Sequence, residues 1–214
     1  MKILIKPSHP LGFTLVELLV TIAIVTTLAS ISSPIIIRQI SRSNATRAVV
    51  NAKNISAAMV TYEFANGSLP SLDSGDSSSN DMLRTLFQTS FILNEKPFWA
   101  KTALPNAALE EPDGNITGEN ALAQGENIFS YYVKNNGEGI SMQEAKANTP
   151  VMITPILSAT GPDEFIVETE SFGGRMVLLT SDRSVTLYNT DENNMPIDLT
   201  FIDEISDFTL FLHE

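Results

Sequence analysis

The chain has 214 residues, with 13 basic and 25 acidic side chains, no cysteine and a formal net charge of −12. The length suits one soluble domain plus an appendage, and the absence of cysteine excludes disulfide frameworks, thiolate zinc sites and cysteine nucleophiles. The two histidines, His9 and His213, lie near opposite ends of the sequence, so no histidine metal cluster or Ser/His/Asp triad is indicated. We therefore expect a protein that is not an enzyme.

Charge is divided unevenly along the chain. Up to Val60 there are six basic residues against one acid, Glu17, which gives +5 and leaves −17 for the remainder, given the total of −12. An acidic globular part keeps a protein soluble and argues against binding to nucleic acid.

The chain begins with a polar leader over residues 1–12, followed by an apolar stretch over residues 13–37 in which Glu17 is the only charge. This stretch exceeds the roughly 20 apolar residues that a helix needs to span a bilayer. Pro34 removes one backbone hydrogen bond near the far end, which predicts a kink there. The sequence therefore predicts a transmembrane helix over residues 13–37.

An amphipathic helix is predicted over residues 38–66, continuing from the apolar stretch. Apolar side chains recur there at spacings of three and four, which places them on one face of a helix: Ala48, Ala52, Ile55, Met59 and Tyr62. Asn66 and Gly67 predict the end of the helix, because glycine favours the left-handed conformation that terminates helices.

Residues 67–214 are predicted to form an α+β globular domain. A short helix is expected over residues 81–89, and residues 94–127 have the composition of a long irregular connection. Strand patterns then occur at residues 129–133, 151–156, 164–168, 176–180, 185–188 and 208–212. The fifth follows the fourth after a tight turn and predicts an antiparallel hairpin. We expect a small antiparallel sheet packed on the amphipathic helix.

Glu17 is the anomaly of the apolar stretch. A carboxylate at the centre of a bilayer costs roughly 2.5–3.5 kcal/mol on insertion scales, so such residues usually have a partner. The surrounding residues read Gly12-Phe13-Thr14-Leu-Val-Glu17. A short basic leader, this run and the apolar helix behind it resemble the type IV pilin and type II secretion pseudopilin superfamily.

The resemblance implies cleavage by prepilin peptidase between Gly12 and Phe13 and N-methylation of the new amine. Phe13, Thr14 and Glu17 would then serve assembly, with Glu17 approaching the Phe13 amine of a neighbouring subunit. The expected partners are further copies, other pilin-like subunits, prepilin peptidase, an inner-membrane assembly platform and the lipid bilayer. The expected location is the bacterial inner membrane, crossed once, with the leader cytoplasmic, the C-terminal domain periplasmic and the subunit entering a pseudopilus.

Several functions fit this resemblance. The exit of the helix resembles that of major pseudopilins, and the absence of a cysteine pair distinguishes the chain from type IVa pilins. A pseudopilus subunit for protein export is therefore favoured. The alternatives are a type IV pilin or minor pilin for motility, adhesion or DNA uptake, and a membrane-anchored binding module that never polymerises. A plain anchor, in which Glu17 reaches the membrane interface, is a further reading.

A calcium site is a weaker expectation from the same resemblance, and no other cofactor is expected. Asp182, Asp191, Glu192 and Asp198 offer carboxylates, which calcium prefers as ligands, although their spacing differs from an EF-hand loop and a solvated acidic turn is the alternative. Asn115-Ile-Thr117 matches a glycosylation sequon, a motif that assigns no modification by itself.

Overall fold

A computed structural model describes residues 13–73, 75–102, 111–191, 193–195 and 205–213. The chain divides into two compact units, residues 1–39 and residues 40–214. The first helix, α1 (Leu15–Asn66), contributes residues to both units.

In the first unit, every described residue is exposed to solvent, including all of its large apolar side chains. The hydroxyl groups of this stretch donate to backbone carbonyls three or four residues earlier in the helix, at 2.7–3.0 Å. Those groups are Thr21, Thr26, Thr27, Ser30, Ser32 and Ser33. The hydroxyl groups of this part of the helix are thus satisfied by its own backbone, as a lipid environment requires.

In the second unit, α1 buries one face. Ala45, Ala48, Ala52, Ile55 and Met59 are fully buried and belong to the single hydrophobic core that the described residues form with the strands. The predicted apolar stripe is therefore confirmed from Ala48 to Met59. Tyr62 is half-buried, and its ring meets Phe91 edge-on at 5.5 Å between centroids.

The end of α1 is where the sequence predicts it. Gly67 has φ +87°, and its N–H donates to the carbonyl of Glu63 at 2.7 Å. The second helix, α2 (Ser79–Gln88), begins two residues earlier than expected. It is preceded by a capping box in which Ser78 and Asp81 bind each other's backbone N–H groups.

Seven strands are present in the described part of the chain. They are β1 (Ser130–Lys134), β2 (Pro150–Thr154), β3 (Ile156–Ala159), β4 (Phe165–Val167), β5 (Arg175–Thr180), β6 (Val185–Asn189) and β7 (Phe208–Phe211). Five of them form an antiparallel sheet in the order β6-β5-β2-β1-β7, and β3 pairs with β4 in a separate antiparallel ribbon. The predicted α+β class, with a long N-terminal helix and a small antiparallel sheet in a pilin-like layout, is confirmed.

One predicted strand is wrong in detail. The apolar run at residues 151–156 divides at Pro155 into β2 and β3, which belong to different sheets. Proline has no N–H to donate to a ladder, so the run cannot continue as one paired strand. The predicted hairpin is confirmed, since β5 and β6 pair from Arg175↔Asn189 to Leu179↔Val185.

Among the described residues of the second unit, four glutamates are buried, and each carboxylate accepts two hydrogen bonds from nearby loops. Their donors are Ser141 Oγ and Gln143 N for Glu63, Gly114 N and Leu122 N for Glu95, Asp113 N and Ala123 N for Glu126, and Glu170 N and Ser171 N for Glu168. All four are at most 7 % exposed. Seven of the eight donors are backbone N–H groups. These carboxylates therefore satisfy backbone donors of loop segments that pair with no strand.

The loop after β1 passes close to the exit of α1, which generates a testable prediction. Leu69 N donates to the carbonyl of Ile140 at 2.9 Å, and a Cβ on Gly139 would lie 1.8 Å from the carbonyl oxygen of Leu69. Gly139→Ala is therefore expected to lower the free energy of unfolding by roughly 1–3 kcal/mol, the usual cost of overpacking. Urea denaturation of the detergent-solubilised chain measures this.

Gly161→Ala is the matched control. A Cβ there would lie 3.5 Å from Asp163 Oδ1, an ordinary contact, so it removes a glycine from the unfolded chain without a clash. We expect no loss of stability, and a small gain of about 0.4–1 kcal/mol where the backbone tolerates alanine. Equal stability of the two variants would contradict the close approach at Gly139.

Candidate processing and assembly site

The start of α1 is a capping box built from Thr14 and Glu17. Thr14 donates its backbone N–H to Glu17 Oε2 at 2.9 Å and its hydroxyl to the same oxygen at 2.7 Å. In return, the N–H of Glu17 donates to Thr14 Oγ1 at 3.2 Å. The separation of three positions is that of the Ser/Thr-x-x-Glu motif, which satisfies two helix-end donors at once.

This arrangement gives Glu17 a local partner that the sequence analysis did not consider. The expected partner of Glu17 was the amine of a neighbouring subunit. The capping motif Thr14-Leu-Val-Glu17 could also have predicted Thr14 as a partner within the same chain. Both hydrogen bonds from Thr14 go to Oε2, and within the described residues Oε1 accepts none. Hydrogen bonds from Thr14 do not neutralise the carboxylate, so its negative charge remains at the positive end of the helix dipole.

The predicted cleavage point lies at the edge of the described part of the chain. Phe13 is 75 % exposed, whereas Gly12 and the rest of the leader, residues 1–12, are outside the described residues. The cut between Gly12 and Phe13, and the methylation of Phe13, remain predictions. The structure does place Phe13 directly before the capping box, so the new amine would form at the N-terminus of α1.

Pro34 lies inside α1, which is helical on both sides of it. Because proline has no N–H, the carbonyl of Ser30 loses its usual helical donor there. The hydroxyls of Ser32 and Ser33 donate to carbonyls in the preceding turn, at 2.8 Å in both cases. The predicted kink at Pro34 remains a prediction.

By length and composition, α1 is one helix that can cross a membrane, and it lies near the N-terminus. Its most apolar window is entirely exposed. The buried core helix of a soluble protein would pass the same composition test but would not be exposed along this window. The helix therefore fits a single-pass membrane anchor.

The four candidate calcium ligands are only partly described. Glu192 and Asp198 lie outside the described residues. Asp182 accepts hydrogen bonds from Thr180 Oγ1 at 2.5 Å and from Ser184 N at 3.1 Å in the β5–β6 turn. The hydrogen bond from Thr180 is the main cause that lowers the pKa of Asp182.

Asp191 is engaged in the same way, within its own turn. Its Oδ1 accepts the N–H groups of Met195 at 2.9 Å and Asn193 at 2.8 Å, and the bond from Met195 is the main cause that lowers the pKa of Asp191. Asp182 and Asp191 therefore both stabilise turns, and the calcium site remains a prediction.

The structure contains a different acidic group, which the sequence did not predict. Carboxylate oxygens of Glu95, Asp113 and Glu126 lie within 4.8 Å of one another. Burial raises the pKa of Glu95, and the nearby carboxylates of Glu126 and Asp113 raise it further, while the N–H groups of Leu122 and Gly114 oppose this. Since Glu95 and Glu126 use all four of their oxygens to bind backbone N–H groups, the group holds the surrounding loop in place.

Comparison with known proteins gives one finding for the N-terminal segment. Residues 9–33 match the family model described as the prokaryotic N-terminal methylation motif. Neither the curated proteins nor the solved structures contain a significant match to the chain. The chain thus carries the N-terminal methylation motif at the start of a long apolar helix, an arrangement consistent with the type IV pilin and pseudopilin superfamily.

Proposed function

We propose that this chain is a structural subunit of a type II secretion-type pseudopilus, matured by prepilin peptidase and anchored in the inner membrane before assembly. The observation that carries the proposal is the methylation motif over residues 9–33, which runs directly into the exposed apolar part of α1. In the proposal, the leader is cytoplasmic and the α+β unit is periplasmic. Its partners are further copies, other pilin-like subunits and the inner-membrane assembly platform.

The absence of cysteine favours a pseudopilus over an adhesive pilus. The chain contains no cysteine, so the C-terminal disulfide of type IVa pilins cannot form. The C-terminal segment is attached by strand pairing, since β7 pairs with β1 over four residues from Phe208 to Phe211. In addition, the carbonyl of Leu212 accepts a hydrogen bond from Ser79 N at 2.8 Å. Strand pairing thus ties this segment to the domain in place of a covalent bond.

Cleavage after Gly12 changes the electrostatics at the start of α1. It creates an ammonium group on Phe13, at the positive end of the helix dipole, where a cation is unfavourable. Glu17 lies in the first turn and offers an opposite charge. A buried charge without a counter-charge is strongly destabilising in an apolar medium. Pairing of the Phe13 amine with Glu17 of an adjacent subunit would therefore fix the axial position of each subunit as it enters the filament.

Exposed apolar side chains in the same part of α1 supply the bulk of the attraction in this proposal. They lie on all sides of the helix, and Leu15, Leu18, Leu19, Ile22 and Val25 are each more than half exposed. Apolar contact is non-directional, so it holds neighbouring helices together without selecting a register. The charge pair selects the register.

The cleavage site can be tested by substitution at Gly12. Gly12→Val is expected to block cleavage, because a branched side chain replaces glycine at the scissile bond, and the purified protein should retain residues 1–12 without N-methylation. Intact mass and N-terminal peptide mass measure this. Leu11→Val, one residue upstream, is the matched control and should be processed. A Gly12→Val protein that begins at methylated Phe13 would refute the proposed site.

A substitution at Glu17 can separate the effect of its charge from that of its capping role. Glu17→Gln keeps an oxygen that can accept from Thr14, since glutamine also serves in capping boxes, but it removes the charge. If the charge pair contributes at least 1.4 kcal/mol, incorporation into filaments should fall about tenfold or more. The amount of variant that co-sediments with wild-type subunits in sheared filament fractions is the measurement.

Thr14→Val is the matched control for that experiment. It removes the hydroxyl of the cap and keeps the carboxylate, at a cost of about 0.5–2 kcal/mol in helix stability. We expect both variants to be cleaved and Thr14→Val to enter filaments. Normal incorporation of Glu17→Gln with failure of Thr14→Val would show that Glu17 acts as a cap and not as a counter-charge.

A further inference from the structure

An exposed asparagine, Asn115, lies on a loop whose backbone donates hydrogen bonds to two buried glutamates. The carboxylate of Glu126 accepts the N–H of Asp113 at 2.9 Å, and that of Glu95 accepts the N–H of Gly114 at 3.0 Å. Both glutamates are buried, at 4 % and 0 % exposure. Ile116, the next residue along the chain, packs against the hydrophobic core. Asn115 is therefore exposed to solvent on a loop whose position these contacts stabilise.

The side chain of Asn115 has its oxygen engaged and its nitrogen available. Thr117 donates its hydroxyl to Asn115 Oδ1 at 2.7 Å and its N–H to the same oxygen at 3.4 Å. Asp113 Oδ1 accepts the backbone N–H of Asn115 at 2.6 Å, which sets the turn. Among the described residues, no hydrogen bond involves Asn115 Nδ2, so neither of its two N–H donors is engaged there.

Asn115-Ile116-Thr117 is an Asn-x-Thr sequence, the pattern that glycosyl transfer to asparagine requires. We propose that Asn115 is the attachment site of an N-linked glycan. The donor would be an oligosaccharide linked through a diphosphate to a polyprenyl lipid, and a membrane-bound transferase would act on the exported chain. This rests on the proposed function, because that function places the α+β unit on the outer side of the inner membrane.

The transfer is a substitution at the first sugar. Asn115 Nδ2 forms a bond to the anomeric carbon, the bond from that carbon to the phosphate oxygen breaks, and polyprenyl diphosphate leaves with the electron pair. One Nδ2 proton passes to a base of the transferase. A hydrogen bond into Oδ1 makes the amide protons more acidic, so the contact from Thr117 favours the step.

Three other Asn-x-Ser/Thr sequences are present, and the structure separates them from this one. They begin at Asn44, Asn54 and Asn66, and all three asparagines lie on α1. A transferase would have to unwind the helix to bind Asn44 or Asn54, whereas Asn66 is its last residue. Asn115, by contrast, lies in the segment between α2 and β1, outside any helix or strand.

Two of the helical asparagines also have their side-chain nitrogens occupied. Asn44 Nδ2 donates to the carbonyl of Ser171 at 3.5 Å, and Asn66 Nδ2 donates to the carbonyl of Tyr62 at 2.9 Å. Asn54 is exposed, but Ser56, the third residue of its sequence, is 4 % exposed and so out of reach. Of the four sequences, the one at Asn115 alone combines an exposed asparagine, an exposed third residue and a free amide nitrogen.

A glycan at Asn115 would also limit where subunits touch. N-linked glycans are bulky and hydrated, and the loop over residues 111–117 could not lie in a close subunit contact while carrying one. The proposal therefore assigns this loop to the outer surface of any assembly.

The test is mass spectrometry of the mature protein purified from membranes of its own source organism. Proteolytic peptides that contain Asn115 should carry an added mass of hexose or N-acetylhexosamine units, whereas peptides with Asn44, Asn54 and Asn66 should be unmodified. An intact mass equal to that of the unmodified chain, or a glycan on one of the helical asparagines in place of Asn115, would overturn the proposal.

Variants made in the same organism test whether the glycan depends on the side chains of Asn115 and Thr117. Asn115→Gln and Thr117→Val should abolish the added mass, whereas Thr117→Ser keeps the hydroxyl and should retain it. Asn54→Gln is the control and should leave the glycan in place. Loss in Asn54→Gln or persistence in Thr117→Val would contradict the assignment.

The same spectra distinguish the two proposals from each other. A chain that begins at methylated Phe13 but has an unmodified Asn115 would refute the glycan alone. A chain with a glycan on Asn115 that retains residues 1–12 would refute the pseudopilin maturation and leave the glycan standing.

Discussion

The interaction on which the rest depends is the one between a carboxylate and the apolar helix that carries it. Glu17 is the single charge in residues 13–37, and an apolar medium disfavours it strongly. Thr14 reduces this penalty by two hydrogen bonds to Oε2, which also begin α1 in a defined place. The charge itself remains, and in the proposed assembly the mature amine of Phe13 supplies its counter-charge. One residue would thus serve both the start of the helix and the register of the filament.

A helix that serves a membrane and a protein core must change its surface along its length. Residues 15–40 of α1 are all exposed, and burial begins at Ser41, whose hydroxyl donates to the carbonyl of Glu170 at 3.0 Å. From there the buried face is made largely of alanine and serine. Small side chains let a helix approach the elements packed against it, while Ile55 and Met59 add larger, fully buried side chains to the core. The composition of α1 thus follows from its two surroundings.

Sequence patterns predicted the features that depend on near neighbours in the chain. The amphipathic stripe, the helix end at Gly67 and the β5–β6 hairpin all repeat or close within a few residues, and all are confirmed. The buried glutamates were missed because several of their partners are distant in sequence. Glu63 binds Ser141 and Gln143, and no local pattern marks a glutamate that will bind a loop 78 or 80 residues later. The capping box at Thr14 was local and could have been found.

Some acidic residues of the globular region therefore stabilise its interior, whereas others lie on its surface. An excess of acid over the globular region suggests a solvated surface, yet Glu63, Glu95, Glu126 and Glu168 are buried. A carboxylate offers two oxygens with several lone pairs, so one side chain can satisfy two loop N–H groups that no strand reaches. Long connections between few strands leave many such groups. The loop at Asp113 and Gly114 is held by this means, and for that reason Asn115 has a fixed position from which to meet an enzyme.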